Sequence, residues 1–381
     1  MNKKFFSIAV VAALSAVSFT ACSDDDDPAS SNGVEIKSAD ICTSGDTANV
    51  TSWGNYMTVV AKLLVNDATT LSTDWTVKGD GISTSYAEYF KSLPATESFD
   101  QIVEGCKDIA NEVGESKIGD PLDKWEQGQY EKAVLAVESW YSWHSRDDYS
   151  NNILSIRNSY YGSLDGTVAE SSISALVKAV DADLDTKVVE AINNAYDKIQ
   201  AIPQPFRNHI NSDEAKAAQS ACAELNETLS SLKAAGEKLD ATKLQQVVSD
   251  YVDNVVLPTY KNLLEYNGLL YAAAAAFAKT PGILTIEACA TAWLNARQPW
   301  ETSEAFLFGP VADRGLDPNM DSWPLDQDGI ENLIKSGKFD DLDWSGDYDE
   351  NNEEIAAKQA LRGFHTLEFL IFKDGKARTI Y

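Results

Sequence analysis

The sequence predicts an all-α protein of two packed helical bundles of the four-helix type, and three features carry that expectation. Apolar residues recur at three-and-four spacing through much of the chain. Alternating runs enriched in β-branched residues are nearly absent. Proline, glycine and capping residues interrupt the periodic segments at short intervals, as antiparallel helices with brief connections require.

The first residues are of another kind. Lys3 and Lys4, an apolar stretch from Phe5 to Ala13, and Phe19-Thr20-Ala21 ahead of Cys22 read as a secretory signal over 1–21. Cys22 stands where a lipobox thiol is acylated, and 22–33, acidic through Asp24–Asp27, reads as a lipidated tether. The expected location is the cell envelope, lipid-anchored at the outer membrane on its periplasmic or its outer face. No later stretch is apolar for long enough to cross a bilayer; the closest is Leu269–Ala278.

Helices are then expected, in order, over Trp125–Trp143, Asp183–Ile202, Asp213–Leu239, Leu244–Ala278, Thr285–Ala296 and Glu353–Phe372. Gly162 closes a further segment, Ile202-Pro203-Gln204-Pro205 breaks the next, and Asn211-Ser212-Asp213 offers an N-cap after it. From Gly309 to Asp349 Pro, Gly, Asp and Trp dominate, with one short helix expected between Asp326 and Ser336. The bundles are expected over 34–239 and 240–381.

The net charge is −28, from 59 acidic and 31 basic residues. Such a balance excludes nucleic acid as a natural partner, since counterion release needs clustered Lys and Arg. It favours cationic ligands, although acidic surfaces also serve solubility. Apart from Cys22, the cysteines Cys42, Cys106, Cys222 and Cys289 match no zinc spacing and are too sparse for a disulfide scaffold. They read as buried free thiols.

Three segments carry chemistry. In the run Leu361–Leu370, His365 and Glu368 lie one helical turn apart, able to ligate one metal or to form a hydrogen-bonded pair. Gly363 within that pattern points to close approach by another backbone or a ligand. In the second, Arg297, Trp300 and Glu304 fall on one stripe if the helix continues past Pro299; an Arg–Glu pair beside a core tryptophan would give the same pattern. In the third, Asp148, Asn152, Ser155 and Ser159 form a polar stripe opposite Tyr149, Ile153, Ile156 and Tyr160. Short polar residues are poor helix formers, so this stripe suits a polar cleft better than a solvated face.

Together these segments resemble the imelysin family, whose hallmark is a GxHxxE motif, matched by Gly363, His365 and Glu368. Arg297, Trp300 and Glu304-Ala305-Phe306 fit its upstream block, and Trp323-Pro324-Leu325-Asp326 fits the intervening loop. The order of blocks differs from the usual one, so the chain resembles a circular permutation in which 34–239 corresponds to the later half and 240–381 to the earlier. Arg146 stands where the family commonly has His, with His144 nearby.

The resemblance implies iron uptake or metallopeptidase activity. No HExxH occurs, and His365 with Glu368 supplies two ligands without an evident third or a separate base. The expectation therefore leans towards an envelope binding protein rather than an enzyme, with the enzyme question left open. It would bind iron, another divalent metal or an iron-bearing ligand, and serve envelope transport components. His365 and Glu368 are the expected metal contacts, with Arg297, Trp300, Glu304, Asp148, Asn152, Ser155 and His144 lining a cleft between the bundles. Arg297 is expected to favour an anionic group such as a chelator or a bridging carboxylate. A metal-dependent peptidase and a surface interaction protein with a vestigial site remain alternatives; His365 packed in the core with no cleft beside it would favour the last.

Overall fold

The computed structural model describes residues 47–78 and 84–380, so the expected signal, Cys22, the tether and Cys42 lie outside the described residues. Helix α1 (Thr47–Thr76) buries Tyr56, Met57, Val60, Leu64, Leu71 and Trp75. Helix α2 (Tyr86–Ser92) starts at a reciprocal capping box between Ser85 and Glu88. Helix α3 (Ala95–Asn111) buries Phe99, Ile102, Val103, Cys106 and Ile109 on the helical period.

Helix α3 runs on into a π turn (Glu112–Gly119) and α4 (Asp120–Glu126). Pro121 accounts for the widening. A proline inside a helix lacks a donor and collides with the carbonyl four residues back, here that of Lys117. The single helix expected over Trp125–Trp143 is broken. Gly128 takes φ +74, α5 (Tyr130–Ala136) is short, and the chain then turns with Ser139 and Trp143 at positive φ. Helix α6 (Ser145–Tyr161) ends on Gly162 in the left-handed conformation, as predicted.

Helices α7 (Ile173–Val180), α8 (Ala182–Gln200) and α9 (Asp213–Ala235) follow, the last capped by the Ser212 hydroxyl on the Ala215 N–H, as expected. Helix α10 (Ala241–Tyr251), a second π turn (Val252–Val256) and α11 (Leu257–Lys279) form one rod, again with a proline, Pro258, just past the π turn. Helix α12 (Ile283–Glu301) continues through Pro299, beyond the expected end at Ala296. Helices α13 (Pro310–Asp313) and α14 (Leu316–Asp321) were not foreseen, whereas α15 (Gln327–Ser336) matches the short helix predicted there.

The helix expected over Glu353–Phe372 is two helices, α16 (Glu353–Gln359) and α17 (Gly363–Ile371). Gly363 takes φ +89, and a Cβ there would stand 2.5 Å from the Met320 carbonyl oxygen. Only glycine fits this turn against α14, the close backbone approach that its place in the sequence suggested.

Helices α3, α6, α7, α8, α9 and α10 pack as one group, and α1, α11, α12 and α17 with α14 and α15 as another. This division does not fall at 239/240. Helix α1, expected with the first bundle, lies along α11, where Gly54 touches Ala278 and the Lys62 ammonium sits over Tyr271. The α10–α11 rod passes from one group to the other. Helix α1 also adjoins α17, Trp53 Nε1 donating to the Leu370 carbonyl at 2.8 Å. The groups meet where α6 packs on α12, and where α3 packs on the 3-10 turn Glu304–Phe306. Cys106, Cys222 and Cys289 are buried free thiols. Among the described residues no helix is long and apolar enough to cross a membrane.

Candidate functional site

Helix α6 is buried on both of its faces, and its polar stripe meets α12 and the turn Glu304–Phe306. Asn152 Nδ2 donates to Glu301 Oε2 at 2.5 Å, and Ser155 Oγ accepts from the Ala305 N–H at 3.0 Å. Ser155 in turn donates to the Asn152 carbonyl. The expected cleft is thus a closed polar seam. A shallow groove of about 280 Å³, lined by residues that include Asn111, Gly114, Glu115 and Asn226, contains none of the predicted site residues.

His365 and Glu368 lie on α17 one turn apart, both buried. The imidazole Nδ1 is 3.0 Å from Glu368 Oε2 and its Nε2 is 3.1 Å from Asp321 Oδ1. Burial and the Arg297 guanidinium pull the imidazole towards neutrality, but Asp321 and Glu368 outweigh them and raise its pKa to about 9. The ring is therefore a cation clasped between two carboxylates at neutral pH. Glu368 Oε1 accepts from the Ser142 N–H at 2.8 Å and the Ser142 hydroxyl at 2.7 Å. Glu368 thus orients the ring, with both oxygens already engaged by the protein. Trp323 packs its edge on the same ring, centroids 4.8 Å apart.

Arg297 is held by three carboxylates. Its Nε is 3.2 Å from Asp148 Oδ2, its Nη2 2.5 Å from Glu301 Oε1, and its Nη1 bonds Asp321 Oδ1. Of the anionic groups expected beside Arg297, carboxylates of the protein itself occupy the fork. Trp300, fully buried, donates its indole N–H to Asp321 Oδ2 at 2.7 Å. Asp148 also accepts from Ser139 Oγ at 2.5 Å. His144 lies at the margin, its Nε2 3.7 Å from Asp148 Oδ1. Helix α12 ends at Glu301, so Glu304 leaves the stripe expected for it and sits in the 3-10 turn instead.

Carboxyl groups outnumber cationic groups here. Asp148, Glu301, Glu304, Asp321 and Glu368, with Asp317 one turn before Asp321, outnumber Arg297, His365 and the buried Lys117. Burial pushes Glu301 up to about 8 against the pull of Arg297, and pushes Asp317 up to about 7 with Asp321 adding to it. Burial also holds Glu304 well above the usual carboxylate range. Asp321 goes the other way: burial opposes its charge, but Arg297 and His365 hold it well below that range. One oxygen from each of Glu301, Glu304 and Asp321 lies within 4.8 Å of the others. Glu304 takes part in no hydrogen bond or ion pair among the described residues, and Asn152 Oδ1 is buried without a donor. Oxygen donors of this kind suit a hard divalent cation once the contacts to Arg297 and Asn152 are released.

The fold brings together every predicted site residue in the described part of the chain, with His144 outermost. Sequence reasoning missed Asp321, Glu301, Lys117, Ser139 and Ser142. Glu301 had a signal, since it follows Arg297 at the spacing of a helical ion pair. Asp321 lies two residues before the Trp323-Pro324 motif but on a helix too short to show periodicity.

Residues 30–232 and 256–380 match the imelysin family, peptidase M75. The chain is similar to an imelysin peptidase from Bacteroides ovatus, with 49% identity and a TM-score of 0.85 over 88% of this chain and 98% of that one. Over 127 residues it is 31% identical to Iron-regulated protein A of Synechococcus elongatus, a match covering 33% of this chain and 31% of that protein. The chain thus spans about a third of that relative's length. On the extent of the family match, this chain belongs to the imelysin family.

Proposed function

We propose that the protein binds iron, or an iron-bearing ligand, in the cell envelope, tethered through Cys22 and handing its cargo to envelope transport components. Glu301, Glu304 and Asp321 would hold the cargo's metal, with His365 adjoining and Glu368 orienting the imidazole. The observation that carries this reading is the excess of buried carboxylates over buried cations. Burial holds Glu301, Glu304 and Asp317 towards their protonated forms, and a bound cation would take the place of those protons. The likeness to Iron-regulated protein A supports iron as the cation.

Calorimetry with Fe(II), Fe(III), Zn(II) and haem tests it, on the wild type and on Glu301→Gln and His365→Ala. The expected result is binding of an iron species that weakens at least tenfold in Glu301→Gln. Binding of no iron species, or binding indifferent to both substitutions, overturns the reading.

The burial of His365, with both ring nitrogens already paired, favours a second reading: an interaction protein whose charged centre is only structural. Its signature is loss of stability in the same variants with no metal bound by any of them. Peptide cleavage abolished by chelator and by Glu368→Ala would instead favour a metallopeptidase.

A further inference from the structure

Lys117 is a buried cation that the pairing around Arg297 does not use. Its side chain is 4% exposed, and its ammonium lies 2.9 Å from Glu138 Oε2 and 3.4 Å from Glu112 Oε1. Burial works against its charge, but Glu138, Glu112, Glu304 and Glu301 outweigh it and keep the ammonium protonated. Two of those four belong to the acidic centre. The other two lead outward: the Glu138 side chain is 16% exposed and that of Glu112 is 49% exposed. Lys117 is thus paired with the two more exposed acids while the charges of Glu304 and Glu301 also act on it.

Two further observations bear on an occupant of the centre. Glu304 is 6% exposed, yet its carboxylate takes part in no hydrogen bond or ion pair among the described residues. Asn152, whose amide nitrogen donates to Glu301, has its oxygen buried without a donor. The two buried cations also differ in what they can do. Arg297 is a planar fork fixed on three carboxylates, whereas a lysine ammonium is a compact charge on a flexible stem. The stem of Lys117 rises from the π turn, where the regular helical ladder is already opened ahead of Pro121.

We propose that Lys117 is a displaceable counter-cation: its ammonium holds the outer side of the acidic centre, and a divalent metal ion arriving past Glu112 and Glu138 takes its place beside Glu304. This rests on the reading of the centre as a cation site. Release of the ammonium towards Glu112 keeps it paired as the metal moves in, so the charge of the seam stays compensated throughout the exchange.

The test uses the full chain with Mn(II), and with Fe(II) under anaerobic conditions, read by stopped-flow mixing and equilibrium titration. Lys117→Met should bind at least tenfold more tightly than wild type, with a larger metal-induced rise in Tm, because the competing cation is gone. Glu112→Gln, at a solvent-facing position, should slow association several-fold and leave the Kd within about twofold. Should Lys117→Met not fold, Lys117→Arg decides, because a fixed guanidinium should weaken metal binding at least tenfold. Unchanged or weaker binding by Lys117→Met, or unchanged binding by Lys117→Arg, overturns the proposal while the Glu301-dependent site survives. Failure of the wild type to bind either ion overturns the exchange, and the iron reading falls with it only if Fe(III) and haem also fail to bind.

Discussion

Arg362 and Arg297 are both buried and both bound to carboxylates, yet their surroundings differ in one respect. Arg362 reaches Asp67 at 2.6 Å, Asp343 at 2.9 Å and the Leu342 carbonyl at 3.3 Å. Asp343 is largely exposed, so its charge is shared with water. Beside it Asn319 accepts from Trp344 Nε1 and Gln359 Nε2 and donates to Asp67. That cluster staples α1, the 342–344 segment and α14, with one of its two carboxylates facing water. Around Arg297 the carboxylates exceed the cations, and buried acceptors are left over. A buried ion-pair network is therefore weak evidence of function by itself. The surplus of carboxyl groups is what distinguishes the Arg297 cluster from the Arg362 cluster.

The most forceful way to break this comparison is to remove each guanidinium. Arg297→Met and Arg362→Met should each cost about 3–5 kcal/mol in denaturant unfolding, since each strands buried carboxylate. Only the loss at Arg297 should be partly recovered by millimolar Mn(II). Recovery at both positions, or at neither, erases the distinction.

Gly363 lies between the two clusters, with Arg362 before it and His365 two residues after. Gly363→Ala puts a methyl group into the Met320 carbonyl at a positive φ. It should lower stability by roughly 1–3 kcal/mol and weaken metal binding as α14 shifts. A thermal midpoint equal to wild type would show that the backbone contact constrains nothing.

The smallest effect is one of pH. Burial raises Asp67 to about 6, against the pull of Arg362. Its unfolded value is lower, about 4, so the native state holds the extra proton between the two. Its contribution to stability is therefore full below about pH 4 and is lost as pH rises through about 6. Asp67→Asn should flatten that part of the stability curve relative to wild type. Parallel curves for the two proteins would remove Asp67 as its source.

What the sequence made legible follows from the range of its signals. The polar stripe of α6 and the pair on α17 show within one or two helical turns, and the structure keeps both on helices. The breaks after Ala136 and before Gly363 were missed because apolar periodicity runs across them. Both breaks serve the centre. The first places Ser139 and Ser142 on Asp148 and Glu368, and the second seats α17 against α14. Asp321 and Lys117 join the centre only through tertiary packing, which periodicity does not encode.

The π turns carry a consequence for reading the family. Each slips one residue into a continuous helix, rotating everything beyond it by about 100° relative to what precedes. Both stand just ahead of a proline, Pro121 and Pro258. A relative lacking proline at either position would be free to shed that residue. Alignments of such relatives should then show one-residue gaps inside helices, at 112–119 and 252–256, where gaps are ordinarily taken for errors.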